Sequence, residues 1–274
     1  MPELPEVETI ARTLRPALIG KIILSADLRW PGTLAAPSLA AFKKHLKGQQ
    51  IESISRRAKF LDLQLSNSHL LIHLRMSGDV LVVLGGYQPA KHDRLVVQLS
   101  EDTSLIFSDP RKFGRVWLVD NTAEIFRDLG PEPLSEAFTA DWLYYSLHLR
   151  RRQLKPLLLD QAFLAGLGNI YTDEALHLAK LHPLLLSDLV TKKQAKGLWQ
   201  AIRKVLEEGI RRNGASIDWV YRGGDFQNHF RVYGRTGEPC PVCGTPIERT
   251  TVGQRGTHFC PKCQGCVKPK NPVQ

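Results

Sequence analysis

The amino-acid sequence predicts an α+β protein, with strands in its first half, helices in its second and a small thiol-rich segment at its end. Three observations carry this. Short apolar stretches follow one another up to about Asp120, longer stretches of helical period dominate after it, and all five cysteines lie between Cys240 and Cys266. Strands and helices segregated along a chain mark α+β rather than alternating α/β architecture. At 274 residues and 43% apolar content the chain has room for about two domains with real cores.

The first helix opens in MPELPEVE. Val7, Ile10, Leu14 and Leu18 recur at helical spacing, Pro2 and Pro5 suit a first turn whose N–H groups lack partners, and Glu3, Glu6 and Glu8 sit near the positive end of the dipole. KIILSADLR, KFLDLQLS, HLLIHLRM, RLVVQLS, SLIFSD and RVWLV then read as strands, with Leu61, Leu63 and Leu65 alternating in the second. Turn signals at Gly85-Gly86 and Asp109-Pro110 separate some of them. The pattern changes through an acidic, proline-bearing link, DLGPEPLSEAF. TADWLYYSLHLRRRQLKPLLLD reads as helix with a proline break, and GLGNIYTDEALHLAKLHP as a glycine turn opening another. TKKQAKGLWQAIRKVLEEGIRRNG places Leu198, Trp199, Ile202, Val205, Leu206 and Ile210 on one face and stops at Asn213-Gly214. SIDWVYRGGDFQNHF lacks periodicity and reads as a mobile loop. VKPKNPVQ reads as a disordered basic tail.

Charge narrows the partner. Lys+Arg of 37 against Asp+Glu of 27 gives a formal +10, which points to an anionic polymer, with nucleic acid ahead of a membrane surface. No stretch approaches the roughly 18 apolar residues of a spanning helix, and the acidic N-terminus is unlike a signal peptide. A reducing, cytosol-like compartment is expected.

Two segments carry chemistry. Removal of Met1 would leave Pro2 as a secondary amine beside Glu3 and Glu6. An α-amino group titrates near about 8, so a useful fraction is neutral at pH 7. A secondary amine that condenses with a sugar aldehyde stays a cationic iminium, which draws electrons from the next carbon and eases elimination. The same string also reads simply as a helix opening, and both readings can hold together. At the other end, Cys240 and Cys243 form one C-x-x-C and Cys260 and Cys263 another, the spacing of a four-thiolate zinc site. Cys266 makes a third C-x-x-C with Cys263, and a site using that pair also satisfies the spacing.

Four motifs occur in order: MPELPEVET, DPRKFG, GLGNIY with DEAL and LHP, and VYGRTGEPC followed by HFCPKCQ. Over nearly the whole chain they resemble the formamidopyrimidine-DNA glycosylase (MutM) family of bacterial base-excision repair. The related endonuclease VIII branch typically begins PEGPEI, so PELPEVE and DPRKFG favour the MutM branch. The resemblance implies an N-terminal β-sandwich domain flanked by helices over residues 1–131, a helix-two-turns-helix DNA-binding domain over 132–233, a four-cysteine zinc finger over 234–266 and a tail over 267–274. It implies one structural Zn2+ on Cys240, Cys243, Cys260 and Cys263, and a monomer clasping one lesion in double-stranded DNA, in the bacterial cytoplasm.

It also implies roles. Pro2 attacks the anomeric carbon, Glu3 is the acid at the sugar ring oxygen, and Glu6 holds Glu3, the amine and water in position. Lys59 in RRAKFLDL is the proton donor in β-elimination, against a plain reading as a solvated strand-end lysine. Arg255 in VGQRGTHFC grips phosphate and assists δ-elimination. Met76, Arg111 and Phe113 form the wedge that fills the gap left by a flipped base, with Arg111 reading the orphaned cytosine. His92, Arg111, Arg151 and Asn169 contact DNA, and Arg151 must be chosen from the run Arg150 to Arg152. The loop from Ser216 to Gln227 would cap the flipped base, with Trp219 where many relatives carry Tyr or Phe. The implied activity is a bifunctional glycosylase and abasic-site lyase acting on 8-oxoguanine and formamidopyrimidines. The competing readings are an oxidised-pyrimidine glycosylase of the endonuclease VIII type and a non-catalytic zinc-finger DNA-binding relative.

Overall fold

A computed structural model describes residues 1–216 and 223–265; Trp219, Cys266 and the tail lie outside them. The chain forms two compact units, one of residues 1–127 with 212–225 and one of residues 128–211 with 226 onward.

The first unit begins with α1, Leu4–Leu18, which buries Val7, Ile10, Leu14 and Leu18 as its spacing predicts. Its strands are β1 Ile23–Leu28, β2 Leu34–Ala36, β3 Ile51–Arg57, β4 Phe60–Leu65, β5 His69–His73, β6 Asp79–Leu84, β7 Asp93–Leu99, β8 Thr103–Ser108 and β9 Arg115–Val119, with a short helix α2, Leu39–Leu46, between β2 and β3. They make a four-stranded sheet in the order β1-β7-β8-β6 and a five-stranded sheet in the order β2-β9-β5-β4-β3. One core joins both sheets to α1: Leu61, Leu63 and Leu65 of β4 and Leu70 and Ile72 of β5 share it with Leu95, Val97 and Leu99 of β7 and Leu105 and Phe107 of β8. The N-terminal residues of α1 are thereby fixed to the sandwich. A short helix α3, Ala123–Phe126, closes this part of the chain.

The second unit holds α4 Ala140–His148, α5 Leu154–Leu159, α6 Asn169–Leu178, α7 Lys192–Arg211 and the hairpin β10 Glu248–Val252 with β11 Arg255–Phe259. The expected break in the helix after Thr139 falls earlier than Pro156. α4 ends at His148, and Pro156 sits in the first turn of α5, where its missing N–H costs nothing. α7 buries Leu198, Ile202, Val205 and Leu206 fully, while Trp199 stays half-buried and donates its indole N–H to Phe138 O at 2.7 Å. Beyond the helix Asn213 and Gly214 both take left-handed φ, +57° and +76°, the expected C-terminal cap. Part of the stretch expected to be loop is ordered: Phe226–His229 forms a 3-10 turn, with the buried Phe226 ring stacked on Tyr171 at 5.1 Å.

Candidate active site and nucleic-acid interface

At the start of α1, Glu3 is the N-cap and Glu6 the third helical residue, and together they form a capping box, with Glu3 N–H donating to Glu6 Oε2 at 2.8 Å. Pro2, Glu3 and Glu6 are all buried. The second oxygen of Glu6 accepts Ala215 N–H at 2.8 Å. Gly214 makes this approach possible, since a Cβ there would lie 2.8 Å from Glu6 Oε1. The segment is pinned at both ends: Ser216 Oγ accepts Gly224 N–H at 2.8 Å, and Asp225 N–H donates to Arg212 O at 2.9 Å. Glu6 therefore ties the N-terminus of α1 to the stem of the segment that ends α7.

Lys59 lies in the tight β3–β4 turn after Ala58, whose φ is +53°, and it is only 5% exposed, so it is no solvated strand-end lysine. Arg56 Nη1 donates to Ala58 O at 2.9 Å, and its Nε lies 3.4 Å from Glu8 of α1, which links the turn to that helix. His73 is a neighbour the sequence reading missed. Burial, then the positive charges of Arg75 and Lys59, push its pKa down to about 3, so it is neutral at working pH.

The expected wedge residues come together around Asp109. This buried carboxylate accepts the hydroxyl of Ser77, next to Met76, and the N–H groups of Arg111 at 3.2 Å and Gly114 at 2.7 Å. His92 O accepts Asp109 N–H at 2.9 Å. Met76 and Phe113 remain 41% and 47% exposed beside this polar hub, a state that leaves their apolar side chains available to contact a base. The Arg111 guanidinium lies 5.0 Å from the Phe113 ring centre, and Lys112 Nζ 3.9 Å from that of Trp30.

In the second unit the three consecutive arginines separate by partner. Arg150 donates to Ser146 O and lies against Phe163, Arg152 pairs with Asp160 at 2.7 Å, and Arg151 stays 78% exposed beside Asp188 at 3.7 Å. Arg151 is thus the one best placed to meet a phosphate. Asn169 opens α6 after Gly168 and donates from Nδ2 to Gly256 O at 3.0 Å, next to the exposed Arg255. Lys155, fully buried, grips the same carbonyl at 3.0 Å and pairs with Asp173 at 2.6 Å. Asp173 accepts His258 N–H at 2.9 Å, and Glu174 accepts the N–H groups of Arg231, Val232 and Tyr233, each at 2.9 Å. Burial pushes the Glu174 carboxyl up while those donors and Arg231 pull against it. None of Lys155, Asp173 and Glu174 was legible as functional, because a charged residue in a helix ordinarily faces solvent.

The Sγ atoms of Cys240, Cys243, Cys260 and Cys263 all lie within 4.8 Å of one another. Hydrogen bonds from Thr245 push Cys243 down to about 6, while burial and the adjoining thiols push Cys263 up to about 12. Four adjacent thiolates cannot persist without a cation, and this soft set fits one zinc ion, the structural cofactor expected from the spacing. Gln264 fastens the site to the helical part, accepting Cys260 N–H and donating to Leu181 O, each at 2.8 Å.

Comparison with known proteins agrees with this reading. Residues 1–116 match the formamidopyrimidine-DNA glycosylase N-terminal domain, residues 129–220 its H2TH domain, and residues 237–265 the zinc finger found in FPG and IleRS. Formamidopyrimidine-DNA glycosylase of Chloroflexus aurantiacus is 48% identical over 272 residues, covering 96% of this chain and 98% of its own, and that of Pelotomaculum thermopropionicum is 42% identical over 273, covering 96% and 99%. Among solved structures, MutM in complex with DNA containing carbocyclic 8-oxo-G aligns with a TM-score of 0.90 at 38% identity, covering 96% of this chain and 99% of that one. Lactococcus lactis Fpg with abasic-site DNA aligns at 0.91 and 37%, covering 97% and 100%. The chain belongs to the formamidopyrimidine-DNA glycosylase family.

Proposed function

We infer that this protein is a bifunctional DNA glycosylase and abasic-site lyase that excises 8-oxoguanine and formamidopyrimidines from duplex DNA in base-excision repair. The observation that carries it is the N-terminus of α1, where Glu6 holds buried Glu3 in a capping box next to buried Pro2, and where Arg56 links Glu8 of the same helix to the turn that buries Lys59. With Met1 removed, the Pro2 nitrogen attacks C1′, the base departs with its bonding electrons, and Glu3 gives a proton to the ring oxygen as the sugar opens. The resulting C1′=N+ iminium acidifies C2′, and loss of that proton expels the 3′ phosphate. Lys59 serves the elimination as proton donor, and Arg255 serves the second elimination.

His92, Arg111, Arg151 and Asn169 act as DNA contacts, with Met76 and Phe113 as wedge, and zinc acts structurally by holding the hairpin that carries Arg255. The working modules are residues 1–131, 132–233 and 234–266, and the site of action is the bacterial cytoplasm, where the nucleoid lies. Among the described residues no helix is long and apolar enough to cross a membrane.

Borohydride trapping on duplex DNA with one 8-oxoguanine tests the reading, because only a Schiff-base enzyme leaves a covalent adduct. An adduct with 8-oxoguanine opposite cytosine that weakens in Pro2→Gly, whose N-terminal glycine keeps a primary amine, and vanishes in Glu3→Gln supports it. Trapping confined to oxidised pyrimidines would favour the endonuclease VIII type, and duplex binding without any adduct would make the chain a non-catalytic binder.

A further inference from the structure

α6 opens with Asn169 and carries His177 near its other end, where the imidazole is 2% exposed and its Nε2 lies 3.4 Å from Cys240 Sγ. The same sulfur receives Val242 N–H at 3.5 Å. Among the described residues, His177 Nδ1 is buried without a hydrogen-bond partner. Leu176 and Leu178 flank it, and an apolar ring would satisfy the packing of this helix as well.

The direction of the contact follows from the metal. Cysteine binds zinc as thiolate, so a zinc-bound Cys240 has no proton to give, and a hydrogen bond between the two groups requires the hydrogen on Nε2. The other tautomer would strand an N–H at the partnerless Nδ1 and set a ring lone pair against a thiolate. Four thiolates on one Zn2+ leave a net charge of about −2, and N–H donors aimed at the sulfurs spread that charge and fix ligand orientation.

We propose that His177 is a positioning residue of the zinc site, its Nε2–H donating to the Cys240 thiolate and thereby fastening the metal to the helix that carries Asn169. This polar joint between the zinc finger and α6 adds to the grip of Asn169 on Gly256 O and of Asp173 on His258 N–H. Loss of that joint loosens the metal without removing a ligand.

Two measurements on the full zinc-loaded chain test this. Long-range proton–nitrogen NMR of histidine-labelled protein should show His177 protonated at Nε2 and bare at Nδ1, and the reverse tautomer overturns the proposal with no substitution made. Competition with a chromogenic zinc chelator should show His177→Phe, which keeps a ring and removes the N–H, binding zinc about 10–100-fold more weakly than the parent chain. Unchanged zinc affinity in a folded His177→Phe overturns it. If metal analysis found no zinc on the parent chain, the zinc assignment itself would fail, a result separate from either outcome.

Discussion

Lys155→Met should be among the most damaging substitutions outside the reaction centre, although this residue touches no reacting atom. Methionine fills the volume of the lysine stem without its charge, leaving Asp173, 1% exposed, without its lysine partner and with the His258 ring 3.5 Å away. Breaking one side of a buried ion pair costs about 3–5 kcal/mol, a large share of the roughly 5–15 kcal/mol that holds a protein of this kind folded. Urea unfolding followed by circular dichroism at pH 8 measures it. Lys155→Met with Asp173→Asn should recover most of the loss, because the amide oxygen can still accept His258 N–H. A single-variant loss below about 1 kcal/mol at pH 8, or a double variant no more stable than the single, would refute the reasoning.

Gly214→Ala should cost about 1–2 kcal/mol from its left-handed backbone alone, and excision should fall further than stability because the new Cβ displaces Glu6; excision rates set beside melting curves check this. Arg111→Ala should relax the distinction between cytosine and other bases opposite the lesion, and equal loss for every opposite base in binding titrations would remove it as the reader. Buried neutral His73 has a pKa lowered to about 3, so between roughly pH 3 and 6.5 the unfolded chain binds the extra proton and stability rises with pH, by at most about 1.4 kcal/mol per unit; His73→Asn should flatten that slope in urea midpoints. Cys260→Ser should lose zinc and Cys266→Ser should keep it, as read by metal analysis.

The sequence made legible whatever depends on local period or covalent spacing. Leu61, Leu63 and Leu65 alternate because β4 buries one face, and the C-x-x-C pairs point to a thiolate quartet, with the choice between Cys260 and Cys266 left to the structure and the family. It hid β3, whose IESISRR buries only Ile51 and Ile54, and β6, an edge strand whose DVLVVL is mostly exposed or half-buried, since both owe their form to neighbours. It also hid α2, which buries only Phe42 and Leu46 after a Ser38 cap. At the site, the motifs carry Asp109, Asp173 and Glu174 as well as Glu3, Glu6 and Arg111, but nothing in their spacing shows what those three acids hold. An aspartate before a proline, or an acid inside a helix, looks solvated until the chain packs around it.

Three of the buried acids, Glu6 among them, share one physical role. Asp109 gathers the backbone of Arg111 and Gly114, Glu6 gathers Glu3 and Ala215, and Glu174 gathers Arg231, Val232 and Tyr233. Taking a carboxylate out of water costs several kcal/mol unless donors replace the lost hydration, and irregular backbone is where N–H groups without helix or sheet partners are found. Each buried acid and its loop therefore satisfy one another, and the loop is held without a large apolar core of its own. The arrangement suits segments that must present exposed groups such as Met76, Phe113 and Arg255, because the fastening sits on the main chain and leaves the side chains outward. An amide in place of such an acid keeps the size but turns one acceptor into a donor facing an N–H. Asp109→Asn should for that reason loosen the wedge more than its small change in volume suggests.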